Sequence, residues 1–234
     1  MVVVDAATLA KRELNRRLNS LLAEGETAIE VQNPGSMHNL GTALKGRGEI
    51  TVRGSTGFYT GGFLEGPRLV IEGNTGWYTG DNMLAGEIII RKNAGSNCGP
   101  SMIGGTIVVH GNTGGRAGLG MKGGDLLVLG STGRWCGQMT MGGRIIILGD
   151  VGPGLGESMY RGLIHVRDPE AESKLGGNVE FHPISADEVD SLAQLFATHG
   201  VQADPNSFMS VRPMTSGRHH YTIFNPQLSG ADGR

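Results

Sequence analysis

Cysteine and net charge are both scarce in this sequence, and each scarcity closes off a class of protein. Two cysteines in 234 residues, Cys98 and Cys136, supply neither a disulfide framework nor a metal cluster. Lys and Arg number 20 against 22 Asp and Glu, a net charge of −2, which argues against nucleic acid as the partner. No apolar run approaches the roughly 18–20 residues that span a bilayer. The opening MVVVDAATLA is too short and turns polar too soon for a secretory signal. The expectation is a cytoplasmic protein with no nucleic acid and no membrane among its partners.

Chemistry-bearing motifs are equally sparse. His38, His110, His165, His182, His199, His219 and His220 show no metal-ligand spacing with one another or with the cysteines. His219 and His220 are adjacent, so on a strand they point to opposite faces. Neither cysteine has a local histidine partner, and no Gly-x-Ser-x-Gly elbow occurs. The stretch from Gly114 to Gly124, GGRAGLGMKGG, matches no phosphate-binding loop. No catalytic, cofactor-binding or metal-ligating residue is expected.

Glycine is in excess, at 41 residues, roughly 18% where about 7% is usual. The excess is periodic. From Glu49 to Gly162 one phrase of 19 residues is written six times without insertion, and a seventh copy begins at Leu163 and decays. A fixed period near 20 with one short apolar run per repeat marks a solenoid.

Within each copy the second and fourth positions are apolar, for example Ile50/Val52, Ile88/Ile90 and Ile145/Ile147. That alternation is a strand with one buried face. The ninth position is always glycine (Gly57, Gly76, Gly95, Gly114, Gly133, Gly152), and so is the thirteenth (Gly61, Gly80, Gly99, Gly118, Gly137, Gly156). These are the expected corners of a coil, needing positive φ or close backbone approach. Cys98 and Cys136 both occupy position twelve, two copies apart. At about 4.8 Å per coil they lie roughly 9–10 Å from one another, beyond disulfide reach.

The third position points outward and should be polar. It is polar at Thr51 and His165, but between them stand Val70, Ile89, Val108, Leu127 and Ile146, flanked by Leu129 and Leu148. Such a column should not face water. Either a terminal helix covers it or a partner subunit does, which makes these five residues the candidate partner interface.

The flanks differ in kind. From Asp5 to about Glu24 an amphipathic helix is expected, capped by Asp5 or Thr8, with Leu9, Leu14, Leu18, Leu21 and Leu22 on one stripe and Gly25 ending it. It either binds a partner or caps the solenoid, as repeat architectures require. Thr27 to Gly48 reads as a degenerate extra coil. After Val166 a polar loop precedes a second helix that Ser185 caps and Gly200 ends, then an extended arm. The expected organisation is an N-terminal helix over 1–28, a right-handed parallel β-helix of about seven coils over 29–168, and a C-terminal helix with arm over 169–234.

The recurring glycines, such as Gly54/Gly57/Gly61, Gly73/Gly76/Gly80 and Gly130/Gly133/Gly137, resemble the GXGXG domain that ends the glutamate synthase large subunit. Ile71 to Ile90 and Asn33 with Gly41-Thr42 share the likeness, which covers roughly Ile29 to Val166. The third copy departs by carrying Lys92 at its first glycine, where the corner should relax. The same pattern is similar to the glycine-repeat scaffold subunit of formylmethanofuran dehydrogenase. The short free-standing chain and its RELN stretch (Arg12 to Asn15) most resemble the small subunits of N-methylglutamate synthases.

The resemblance implies a scaffold without catalytic residues. Its partners would be a class II glutamine amidotransferase-like subunit and an FMN-containing, iron–sulfur glutamate-synthase-like subunit. It would space their active sites and help wall the ammonia route.

Overall fold

The computed structural model describes residues 1–214; His219, His220 and the rest of the expected terminal arm lie outside the described residues. Each copy of the repeat is one coil of a parallel β-solenoid. The strands β1 (Val2–Asp5), β2 (Ala28–Gln32), β3 (Glu49–Val52), β4 (Glu65–Ile71), β5 (Ala85–Ile90), β6 (Thr106–Val109), β7 (Asp125–Val128), β8 (Met141–Ile147) and β9 (Arg161–Val166) stack in sequence order. Equivalent positions pair, as Ile50↔Leu69, Leu69↔Ile88 and Ile88↔Ile107. The second and fourth positions are buried from end to end. The core is completed by further inward columns, one of them Leu64, Met83, Met102, Met121, Thr140 and Met159 at position sixteen.

The two invariant glycine columns have different causes. Position thirteen lies in the left-handed region, with φ from +66° to +72° from Gly61 to Gly156. Position nine does not; there a Cβ would strike the coil before it, meeting the Gly57 carbonyl carbon at 2.6 Å from Gly76 and the Ser96 amide nitrogen at 2.6 Å from Gly114. One column is a matter of torsion and the other of coil spacing. Lys92 bears out the relaxed corner. Gly73, Gly111, Gly130 and Gly149 each donate their N–H to the preceding coil at position six, and no such bond joins Lys92 to Gly73.

A side-chain ladder invisible in the glycine pattern runs alongside, at position seven. Ser55 accepts from the N–H of Asn74, Asn74 from Asn93, Asn93 from Asn112, Asn112 from Ser131 and Ser131 from Asp150, all at 2.8–3.1 Å. Each rung ties a coil to the next without using backbone carbonyls. Inward of it, the hydroxyls of Thr56, Thr75 and Thr113 are buried without a hydrogen-bond partner, so these residues serve as β-branched packing groups.

At one end the coil from Thr27 to Gly48 is closed by α1 (Lys11–Ala23). Leu14, Leu18, Leu21 and Leu22 are buried in the solenoid core, so the helix is a cap, the second of the two roles open to it. It begins later than the sequence suggests. Val2 to Thr8 instead form β1 and a 3-10 turn (Ala6–Thr8), in which Asp5 accepts the N–H of Ala7. The β-branched run Val2-Val3-Val4 explains the strand.

At the other end the seventh coil does not stop at Val166. Gly154 and Leu155 donate to the carbonyl of Lys174, Leu175 stacks on Leu155, and Gly176 donates to Leu155, so stacking persists through the expected polar loop. The chain then adds β10 (Val179–Pro183) and, after α2 (Ala186–His199), β11 (Met209–Pro213). β11 lies antiparallel between β9 and β10.

Helix α2 settles the outward column. Ser185 and Glu188 form a capping box at its start, and Gly200 ends it with φ +66°. Its 14 residues make about 21 Å of helix, and four coil spacings make about 19 Å. The helix therefore runs along the solenoid, laying Leu192, Leu195 and Phe196 with Phe208 over Val70, Ile89, Val108, Leu127 and Ile146. His199 meets Glu87 at 3.3 Å, and Arg144 donates to Ser191, fixing both ends of the contact. The five residues proposed as a partner interface are thus buried within the chain. An apolar amphipathic stripe of matching length was available locally, and tethering makes its burial cheaper than recruiting a second molecule.

Candidate functional site

With that column covered, a cluster of exposed rings stands out elsewhere, on the corner formed by positions ten and eleven. There His38, Phe58 and Trp77 stack with ring centroids 4.7 and 5.4 Å apart, and Tyr59 stacks on Tyr78 at 4.9 Å. Farther along, the guanidiniums of Arg116 and Arg134 lie 4.4 and 4.5 Å from the Trp135 ring. Trp77 is 53% exposed, and Phe58, Tyr59 and the neighbouring Phe63 are exposed as well. Five of the twelve Phe, Trp and Tyr residues, namely Phe58, Tyr59, Trp77, Tyr78 and Trp135, stand at these two positions.

The backbone beneath this ridge is unusual. Tyr59, Tyr78, Asn97, Arg116 and Trp135, all at position eleven, have φ between +55° and +62°. Bulky residues in this region cost of order 1–2 kcal/mol each. The coil imposes the conformation: each of these N–H groups donates to the position-ten carbonyl of the next coil, as Tyr59 does to Trp77 at 2.8 Å. Glycine would relieve the strain, and Gly154 does so in the sixth coil. Sequence reasoning passed over this column because it contains no glycine in five coils out of six. The signal was the opposite one, aromatic and arginine residues where glycine would be easier.

A second cluster brings together groups the sequence keeps far apart. Glu188, on α2, accepts from the N–H and hydroxyl of Ser185, from Ser210 at 2.9 Å and from Arg212 at 2.7 Å. Ser210 also lies 3.3 Å from Nδ1 of His165. Since the single Ser210 proton goes to the carboxylate, His165 contributes the Nδ1–H. Burial pushes His165 down to about 4, against the opposing pull of Glu188. Burial acts to raise Glu188, but the Ser185, Ser210 and Arg212 bonds outweigh it and hold the carboxyl at about 2.

Serine, histidine and carboxylate meet here, yet not as a nucleophile relay. Ser210 is fully buried, and the carboxylate holds the serine where a relay needs it on the imidazole. The cluster fastens β9, α2 and β11 together. Cys98 and Cys136 are free and fully buried, and burial pushes both thiols up to about 12, which makes them inert packing groups.

The model of the GXGXG motif family matches residues 35–204, close to three quarters of the chain. The chain belongs to the GXGXG motif family. The match extends beyond the coils through α2, so the covering helix goes with the family unit. A stretch of 72 residues is also 32% identical to Protein GlxC of Rhizobium meliloti (strain 1021), covering 30% of this chain and 32% of that one. The chain thus spans about a third of the length of the relative it matches. Among the described residues, no helix is long and apolar enough to cross a membrane.

Proposed function

We propose that the chain is a non-catalytic β-helical scaffold subunit of a cytoplasmic glutamate-synthase-like complex, of the N-methylglutamate synthase kind. Its partners in this reading are the class II glutamine amidotransferase-like subunit and the FMN-containing, iron–sulfur subunit. Those partners exchange methylamine for ammonia on glutamate while this chain spaces their sites and helps wall the ammonia route. The observation that carries the reading is the GXGXG match over residues 35–204. The aromatic and arginine ridge supplies a docking surface of the right composition, since Trp, Tyr and Arg dominate binding hot spots.

Co-purification of the tagged chain from its native cells tests this. An FMN-containing partner that copurifies supports it; a molybdenum or tungsten partner, or no flavin partner, overturns it. The double variant Phe58→Ser/Trp77→Ser should keep its fold, because both rings stand on the surface, outside the core. It should weaken capture of the partner by about 30-fold or more.

A further inference from the structure

The sheet has two terminal strands, and they are finished differently. At one end the outermost strand is β10, which pairs with β11 alone and ends on Pro183. At the other, β1 pairs with β2 on one side and with no described strand on the other. A bare edge offers a row of backbone donors and acceptors and is ordinarily blunted by proline, lysine or a bulge. Val2–Asp5 carries none of these, and Val3 is 52% exposed.

A groove of about 420 Å³ runs between this edge and α1. Val2, Val4 and Leu9 supply its apolar part; Glu13, Arg16 and Arg17 supply the charge. The carboxylate of Asp5, also at the groove, is engaged by Ala7 and Asn33. Arg16 and Arg17 form no ion pair among the described residues, nor do Lys11 and Arg12 on the same helix. Around the groove, cations without partners outnumber the free carboxylate of Glu13.

We propose that β1 accepts one more strand from a partner protein: an extended segment with apolar residues at alternate positions and acidic residues beside them. The register follows from the sheet. Val2 and Val4 pair with Ile29 and Val31, so both lie on the inward columns, and Val3 points out. An added strand would continue those columns with two apolar side chains, while its backbone satisfies the open edge. Acidic neighbours would meet Arg16 and Arg17. A second copy fits less well, because pairing β1 with β1 about a two-fold would set the arginines of both copies along one seam. This edge is separate from the aromatic ridge, so the inference stands or falls independently of the function proposed above.

The test uses the full chain and fluorescence anisotropy with labelled peptides. One has the sequence Glu-Glu-Val-Thr-Val-Thr-Val-Glu-Glu, one replaces its four glutamates with lysine, and one is N-methylated at the three valines and both threonines, so that neither edge of the peptide can donate. The acidic peptide should bind at least about tenfold tighter than the lysine form, and N-methylation should abolish binding. Arg16→Glu/Arg17→Glu, two exposed positions whose folding is checked by circular dichroism, should invert the charge preference. Equal binding of the acidic and lysine peptides, indifference to N-methylation, or no binding by any peptide overturns the proposal. So does a dimer in sedimentation that Val3→Lys dissociates, since the second copy would then be the occupant.

Discussion

The side chain of Asn15 stands in for a coil that is not there, accepting at 2.8 Å the N–H of Gly41 and donating at 2.7 Å to the carbonyl of Asn39. Everywhere else that N–H has a neighbour: Gly61 donates to Leu40 and Gly80 to Thr60. One helical turn later Asn19 repeats the device, accepting from Lys45, whose counterpart Glu65 donates to Leu44. Two asparagines four residues apart thus close the hydrogen bonding of an end that would otherwise invite another coil.

Asn15→Leu keeps the bulk of the side chain and removes both bonds at a site where Gly41 is buried. It should cost about 2 kcal/mol or more, because a buried donor is left unpaired. Urea unfolding of the variant measures it, and a midpoint equal to that of the parent would exclude the capping role.

Gly114→Ala and Gly200→Ala separate two meanings of glycine. At Gly200, φ is +66° and a Cβ meets nothing within 4 Å, so the cost should be about 1 kcal/mol. At Gly114 the Cβ runs into the Ser96 backbone of the adjoining coil, which should cost about 3 kcal/mol or prevent folding. Thermal melts of the two variants should rank in that order.

The His165 cluster makes the C-terminal cover acid-sensitive. His165 is neutral when folded, held down to about 4, and titrates near 6.5 when unfolded. Its contribution is complete above about pH 6.5 and is lost as pH falls toward 4, amounting to roughly 3 kcal/mol. Glu188, lowered to about 2 from 4.5, adds a second loss only below about pH 4.5. His165→Gln should flatten the decline of melting temperature between pH 6.5 and 4 and leave the lower limb in place.

Both thiols should resist alkylation in the native state. Iodoacetamide at pH 8 should modify neither Cys98 nor Cys136, whose thiols burial pushes up to about 12. In denaturant both should react within minutes. Mass spectrometry showing native labelling of either would mean that the coil opens there.

Much of the fold was legible because a solenoid repeats its instructions. The apolar pair at positions two and four, the glycine columns and the extra coil around Ile29 and Val31 all carry local signals that period 19 reinforces. α2 was legible from its own caps, Ser185 and Gly200. What escaped was long-range or low in contrast. β1 is four residues long, too short to show a period, and its strand identity rests on pairing with Ile29 and Val31. The aromatic ridge was passed over because the left-handed positions at Tyr59, Tyr78 and Trp135 are imposed by neighbouring coils against local preference.

The sequence by itself determined the coil, since a constant period with β-branched residues at alternate sites admits one way of burying them. It also determined that the column from Val70 to Ile146 must be covered. What covers it was decided only by tertiary structure, because both candidate covers present the same kind of apolar stripe. The choice depends on where each helix can reach. α1 follows β1 at the end it caps and is held there by Asn15 and Asn19. α2 leaves β10 at the opposite end with a length that matches the column, so the chain covers its own outer face. Its β1 edge and the rings of its ridge remain exposed.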